Sequence, residues 1–253
     1  MHDFVSIIMT HFAMNDERSD TMVKSVTSLF ESTEYPFEFI VIDNGKSRAD
    51  SEFFLDLVEQ GKINTYIRNA DNMHFGYARN QGIALAQGDY ICITDNDILF
   101  KRDWLSECMK VLKAFPNEKI YATPIGYPTP GMKTRYLRGT LELDGVMYDK
   151  NMRAGSNCFV IKREDFNIIG KFWIHRIAGS IWTDLAVKKG YLAVVVPDNL
   201  ITDMGFRRGY DLRASIPVSL TLSNGKKLYF NNDEFKKSQG AELLDFSCQK
   251  GTE

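Results

Sequence analysis

The feature that most constrains this chain is an alternation of short apolar runs with longer amphipathic ones through its first 115 residues or so. The apolar runs are Val5–Thr10, Glu38–Asp43, Ile63–Ile67 and Tyr90–Thr94, and helical spacing marks about 19–33, 49–60, 77–87 and 102–114, with Asp103 placed to cap the last. Strands separated by helices return in parallel, so the pattern predicts βαβ units around a mainly parallel sheet. Runs such as FIVI and YICI are continuous rather than alternating, as strands buried on both faces require. With 253 residues, 44% of them apolar, the chain suits one large domain or a domain with an appended subdomain.

In such sheets ligands collect beyond the carboxyl ends of the strands. Polar residues follow the strands here as Thr10-His11, Asp43-Asn44-Gly45 and Asp95-Asn96-Asp97. Two carboxylates presented together between YICIT and ILF repel unless a cation neutralises them, although a D-x-D triplet alone also fits an ordinary turn. From Pro124 the texture changes, with Pro124, Pro128 and Pro130 marking a loop and Leu143-Asp144-Gly145-Val146 a hairpin. A strand at Asn157–Ile161, a short turn, a helix near 180–189 and a strand at Tyr191–Val196 follow. Asn224-Gly225 between SLTL and KLYF predicts a second hairpin.

Thirty-one Lys and Arg against 33 Asp and Glu leave no overall field to favour nucleic acid or an anionic membrane. Cys92, Cys108, Cys158 and Cys248 are widely spaced without a CxxC pair, which indicates free thiols in a reducing compartment rather than zinc ligands or disulfides. The apolar stretch FVSIIMT is too short for a signal-peptide core, and no run reaches membrane-span length. A cytoplasmic location is expected, with at most a peripheral contact at the inner face of a membrane.

The segment Asn72 to Tyr90, NMHFGYARNQGIALAQGDY, leads straight into the acidic triplet. Together with SIIMTHF, IVIDNGKS and DND in that order over about 4–115, and AGSNCFVIKREDFNIIGKF at 154–172, it resembles the family 2 glycosyltransferases. The resemblance implies the GT-A fold: a single mainly parallel Rossmann-like sheet flanked by helices, a smaller antiparallel acceptor-side portion, and here a C-terminal hairpin. It divides the chain into a nucleotide-sugar-binding half (1–115), an acceptor-binding and catalytic half of the same domain (116–210) and a C-terminal extension (211–253). The implied reaction moves a sugar from a nucleotide-diphosphate sugar, commonly a UDP-sugar, to a hydroxyl of a glycan or lipid-linked glycan. It inverts by direct displacement and uses Mn2+ or Mg2+.

Carried over residue by residue, the resemblance makes Asp97 the direct metal ligand, Asp95 a ligand through water or a contact to ribose, and Asp203 a late ligand. On the donor side it implies Thr10, His11, Asp43, Asn44, Asn72, Gly76, Arg79, Asp95 and Asn96. Asp43 and Asn44 either grip the nucleobase or end the strand in a turn with Gly45, while Lys46 stands where the family usually has Ser and Ser47 is displaced by one. Arg79 offers its fork to donor phosphate or to an acidic loop residue. Asp184 is the sole acid of Ala178–Tyr191, hence the implied catalytic base, or else a helix N-terminal residue favoured by the dipole; His175 is the weaker alternative. Phe206-Arg207-Arg208-Gly209-Tyr210 reads as a basic loop that closes over the donor or a solvated turn, and Trp173 and Trp182 as sugar-stacking or core residues. Two competing readings are a sugar-phosphate nucleotidyltransferase, for which Thr10–Met14 lacks the expected Gly-rich basic loop, and a non-catalytic nucleotide-sugar- or glycan-binding domain, suggested by the short stretch from Asp184 to Gly190.

Overall fold

The computed structural model describes residues 4–13, 15–45, 47–125, 136–152, 156–174, 178–197, 199–205, 219–221 and 227–229. Strands β1 (Val5–His11), β2 (Phe37–Asp43), β3 (Thr65–Arg68) and β4 (Tyr90–Asp95) alternate with helices α1 (Asp16–Ser32), α2 (Arg48–Glu59) and α3 (Phe75–Leu85). Then come β5 (Ile98–Phe100), α4 (Trp104–Ala114), β6 (Ile120–Thr123), β7 (Leu137–Leu143), β8 (Val146–Asn151), β9 (Cys158–Lys162), α5 (Arg163–Ile169), α6 (Ala178–Lys188), β10 (Leu192–Val195) and β11 (Ile201–Asp203). The ribbon β12 (Ser219–Thr221) and β13 (Lys227–Tyr229) forms the second hairpin; its Asn224-Gly225 turn lies outside the described residues.

Nine strands form one sheet in the order β3-β2-β1-β4-β9-β6-β10-β8-β7. β1, β2, β3 and β4 pair in parallel, as do β6 and β10, while β9 and β8 run against their neighbours. The antiparallel portion therefore extends the main sheet. Side chains alternate between the faces: Val5, Ile7 and Met9 join α1, α2 and α4 on one side, while Ile8, Ile93 and Phe159 join α3, α5 and α6 on the other. Both faces are covered, which explains the uninterrupted apolar runs. A Cβ at Gly82 would stand 2.4 Å from Ile8 Cγ2, so the missing side chain is what lets α3 lie flat on β1.

Some boundaries differ from the sequence expectation for identifiable reasons. α1 starts at Asp16, earlier than the apolar periodicity suggests, because the Asn15 side chain accepts from Arg18 N and caps it. Asp103 precedes α4 but sits in the left-handed region (φ 65°) and makes no side-chain cap bond. A helix, α5, stands where a short turn was expected. β5 and β11 form a separate antiparallel pair that no local pattern announces, since each has three residues and its partner is distant in sequence. The Asp144-Gly145 turn has both φ positive (53° and 78°), the geometry that a tight two-residue hairpin needs. Cys92, Cys108 and Cys158 are buried and free, and Cys248 lies outside the described residues. Among the described residues no helix is long and apolar enough to cross a membrane.

Trp182 belongs to the core. Its indole is fully buried among Phe159 (4.7 Å between ring centroids), Phe172 (5.5 Å), Phe166 (5.6 Å) and Tyr121 (5.6 Å), and Nε1 donates to the Gly170 carbonyl at 2.9 Å. We expect Trp182→Ala to cost about 3–5 kcal/mol of unfolding free energy in urea titration. A loss below about 1 kcal/mol would contradict this packing role.

Candidate functional site

The chain builds β1, β2 and β3 outward on one side and then returns to place β4 on the other side of β1. A crevice opens at such a switch point, beyond the carboxyl ends of β1 and β4. Register puts Thr10 beside Asp95 and His11 beside Asp43 at one level of the sheet. Asp97 follows in the turn between β4 and β5, and the β5–β11 pair sets Asp203 against Ile98. Three carboxylates, from Asp95, Asp97 and Asp203, thereby meet at one end of the sheet.

Each has a separate partner. Asp95 Oδ1 accepts from Arg79 Nη2 at 2.5 Å; Arg79 is only 2% exposed and its guanidinium lies over the rings of Phe75 (4.9 Å) and Phe172 (5.1 Å). Asp97 Oδ2 accepts from Arg18 Nη1 at 3.1 Å. Asp203 accepts from Asn157 Nδ2 through Oδ2 and from the Gly205 amide through Oδ1, both at 2.8 Å. The pairs do not cancel the crowding. Burial, then the charges of Asp95 and Asp203, push the Asp97 carboxyl up to about 7, Arg18 notwithstanding. Burial also raises Asp95, with Asp203 adding to it and Arg79 opposing. The Asp95 side chain keeps 38% of its surface exposed, which moderates that effect.

Behind the acids stands a polar layer. Asn96 Nδ2 lies 2.9 Å from His11 Nδ1, and His11 Nε2 lies 3.0 Å from Asp50 Oδ2. With Asn96 donating to Nδ1, the ring proton sits on Nε2 and is given to Asp50, whose carboxyl is held below its ordinary range first by this bond. His11 is wholly buried and packs edge-on against Phe54, so it orients Asn96 from behind. Asp43 is also fully buried: Oδ1 accepts from the Gly45 amide at 2.7 Å, and Oδ2 from Tyr66 OH at 2.8 Å and Ser51 Oγ at 3.1 Å. Burial, with Asp43 adjacent, pushes the Tyr66 phenol up to about 12. Asn44 Oδ1 accepts from Asn69 at 2.8 Å. Asn72 Oδ1 takes the His74 amide at 3.0 Å and forms the turn into α3. Gly76 is required by close approach, since a Cβ there would fall 2.1 Å from the Trp173 carbonyl oxygen. Asn80 grips both the N–H and the C=O of Phe172, at 3.0 and 2.8 Å, and ties α3 to the segment before α6.

Asp184 lies in the interior of α6, which rules out the helix N-terminal reading. Its charge helps raise the pKa of buried Tyr121, after desolvation. The end of α6 that approaches the acids is Gly179, whose Cβ position is 3.7 Å from Arg79 Nη1 and 2.0 Å from Ser156 Oγ. Asp184 is five residues further on, roughly 7–8 Å along the axis. Lys46, His175, Arg207 and Arg208 lie outside the described residues. Sequence reasoning missed Arg18, Ser19, Asp50, Asn157 and the spatial role of Gly205. The Asn15-Asp16-Glu17 cap signal would have moved the start of α1 and exposed Arg18 as a first-turn residue.

The donor set suits a hard divalent cation. A Cβ on Gly205 would lie 1.9 Å from Asp97 Oδ2 and 3.4 Å from Asp203 Oδ1, so the missing side chain is what lets the Asp97 carboxylate pack against this backbone beside Asp203. Among the described residues no group of three or more His, Cys, Asp or Glu side chains is arranged to hold an ion alone. A site of this kind takes its remaining ligands from phosphate oxygens and water. Gly205→Ala should push the Asp97 carboxylate aside and reduce Mn2+ binding in the presence of nucleotide by about tenfold or more in isothermal titration, with the melting temperature little changed. Undiminished binding would exclude Asp97, in this position, as a ligand of the ion. Because the Asp97 carboxyl is raised, from 3.8 to about 7, the folded state holds a proton there that the unfolded state has released. Stability of the metal-free protein should therefore fall as pH rises from about 4 through about 7. Melting curves of Asp97→Asn should lack this component, and identical pH profiles for the two proteins would refute it.

The model of the family described as Glycosyl transferase family 2 matches residues 6–170. A glycosyltransferase of Methanocaldococcus jannaschii is 29% identical over 94 residues, 37% of this chain and 31% of its own length. A protein of Sinorhizobium fredii is 26% identical over 169 residues, 58% of this chain and 18% of its own. The chain thus spans a third or less of these curated relatives. Among solved structures, a mannosyltransferase of Pyrobaculum calidifontis in complex with GDP-Man and Mn2+ superposes with a TM-score of 0.64 at 18% identity, covering 83% of this chain and 59% of that one. GalNAc-T7 with UDP, GalNAc and Mn2+ gives 0.58 at 15% identity, covering 76% and 41%. These structures share the fold, and the family match extends from the second residue of β1 through α5. With its sheet order and strand-end carboxylates in place, the chain belongs to glycosyltransferase family 2.

Proposed function

We propose that the chain transfers a sugar from a nucleoside-diphosphate sugar, a UDP-sugar in the first instance, to a hydroxyl of a glycan or lipid-linked glycan with inversion. The observation that carries this reading is the gathering of Asp95, Asp97 and Asp203 beside Gly205 at the crevice. The Mn2+ and nucleotide or nucleotide sugar named for two structural neighbours support it. Asp97 and Asp203 would hold Mn2+ or Mg2+, which when bound neutralises charge on the departing diphosphate. Asp95 would face the ribose and phosphates, with the buried Arg79 fixing its carboxylate from behind. Thr10, Asp43, Asn44, Asn72, Gly76 and Asn96 would form the donor wall, with His11 fixing Asn96. A cytoplasmic place of action, peripheral to the membrane, belongs to the same reading, and the free thiols agree with it.

In the reaction the acceptor oxygen bonds to the anomeric carbon as the bond from that carbon to the diphosphate breaks. The electron pair leaves on the phosphate oxygen and the hydroxyl proton passes to a carboxylate, assigned here to Asp184.

The test is nucleotide release from a panel of UDP- and GDP-sugars, with and without Mn2+ and candidate acceptors. We expect release from one donor that needs the ion and rises with acceptor. Asp97→Asn should lower it by about 100-fold or more. Turnover retained by that variant would sink the metal assignment. Asp184→Asn should bind donor normally and lose about 100-fold in transfer; full transfer by this variant would move the base elsewhere.

A further inference from the structure

Arg18 stands where a helix does not favour it. The first turn of α1 carries Asp16 and Glu17, which suit the positive end of the helix dipole, and then a cation, which opposes it. The turn is held by the Asn15 cap, at 3.1 Å from Arg18 N, and by Ser19 Oγ donating to Asp50 Oδ2 at 3.0 Å. From there Arg18 reaches Asp97, with the two side chains 16% and 15% exposed. The oxygen that it holds, Oδ2, is the same oxygen that packs against Gly205 beside Asp203, on the carboxylate assigned above to the ion. A guanidinium and a divalent ion sharing one carboxylate oxygen repel each other, so the two compete for Asp97.

Building on the transfer reading above, we propose that Arg18 is an exchangeable counter-ion, a positioning residue that holds Asp97 until metal and nucleotide arrive together and then pairs with the donor diphosphate. Its planar fork matches a carboxylate and a phosphate equally well, so the exchange replaces one charge-assisted bond by another. While it occupies Asp97 it weakens binding of the ion alone. Once the diphosphate is present, it strengthens binding of the pair. The metal and the nucleotide therefore raise each other's affinity, and by linkage the gain is equal in both directions. This arrangement disfavours a bare ion at the acids and any donor lacking its ion.

The experiment measures free Mn2+ by electron paramagnetic resonance in titrations of the full chain, without nucleotide and with saturating UDP or GDP. The wild-type protein should bind Mn2+ weakly alone and more tightly with one of the diphosphates. Arg18→Gln should bind Mn2+ alone about fivefold to tenfold more tightly, and Mn2+ with diphosphate about tenfold more weakly, so that its effect changes sign between the two titrations. Arg18→Lys, which keeps the charge, should retain the weak binding of the bare ion. Affinities unchanged in Arg18→Gln, or shifted the same way in both titrations, would overturn the proposal while leaving the transfer reading intact. Absence of any Mn2+-diphosphate synergy in the wild type would overturn both. Thermal melting of each variant checks folding; Arg18→Gln leaves Asp97 without its counter-ion, so it should melt at a lower temperature than the wild type but still in one cooperative transition well above that of the titrations.

Discussion

Mutual repulsion of Asp95, Asp97 and Asp203 is the constraint around which this end of the molecule is organised. Like charges at partly buried positions are costly, and each carboxylate has a separate device that offsets the cost. A buried arginine packed on two phenyl rings answers Asp95, a first-turn arginine answers Asp97, and an asparagine with a backbone amide answers Asp203. Even so, the Asp97 carboxyl stays well above its ordinary range. A fold that retains this residual strain has reason to bind positive charge there.

The support behind the acids is built mostly from neutral or fully paired groups. His11 links Asn96 to Asp50, and Asp50 also takes the hydroxyl of Ser19 from α1. One buried carboxylate thus fixes the turn carrying Arg18 and the imidazole behind the acidic triplet. Asp43 does the same for the adjoining loop, spending both oxygens on the Gly45 amide, Ser51 and Tyr66. Such networks are costly to leave half-satisfied, which gives the crevice a defined shape before any ligand enters.

The first half of the fold was legible because buried parallel strands leave continuous apolar runs, and because switch-point chemistry puts polar residues directly after them. The β5–β11 pair was not, since two three-residue strands separated by roughly a hundred residues carry no local periodicity. Arg18 was invisible for a related reason: helical spacing shows which face is polar but not which distant acid that face meets. Asp184 illustrates a limit of another kind. Spacing to Gly190 marks a helix, yet whether its acid points to the crevice or to Tyr121 depends on where the helix begins and how it packs, and Gly179 is the residue that abuts Arg79.

The β5–β11 ribbon also bears on how the protein is made. Asp203 is paired with Ile98, the neighbour of Asp97, so the distance between the two acids is governed by a rung of backbone hydrogen bonds and not by side-chain packing. That rung joins segments far apart in sequence, and contacts of such separation are entropically expensive to close. A chain emerging from the ribosome carries β1 to β4 long before β11 is available to complete the acidic cluster. The spacing of Asp97 and Asp203 therefore reports whether β11 has docked on β5, and an incomplete chain would carry Asp97 without Asp203 beside it.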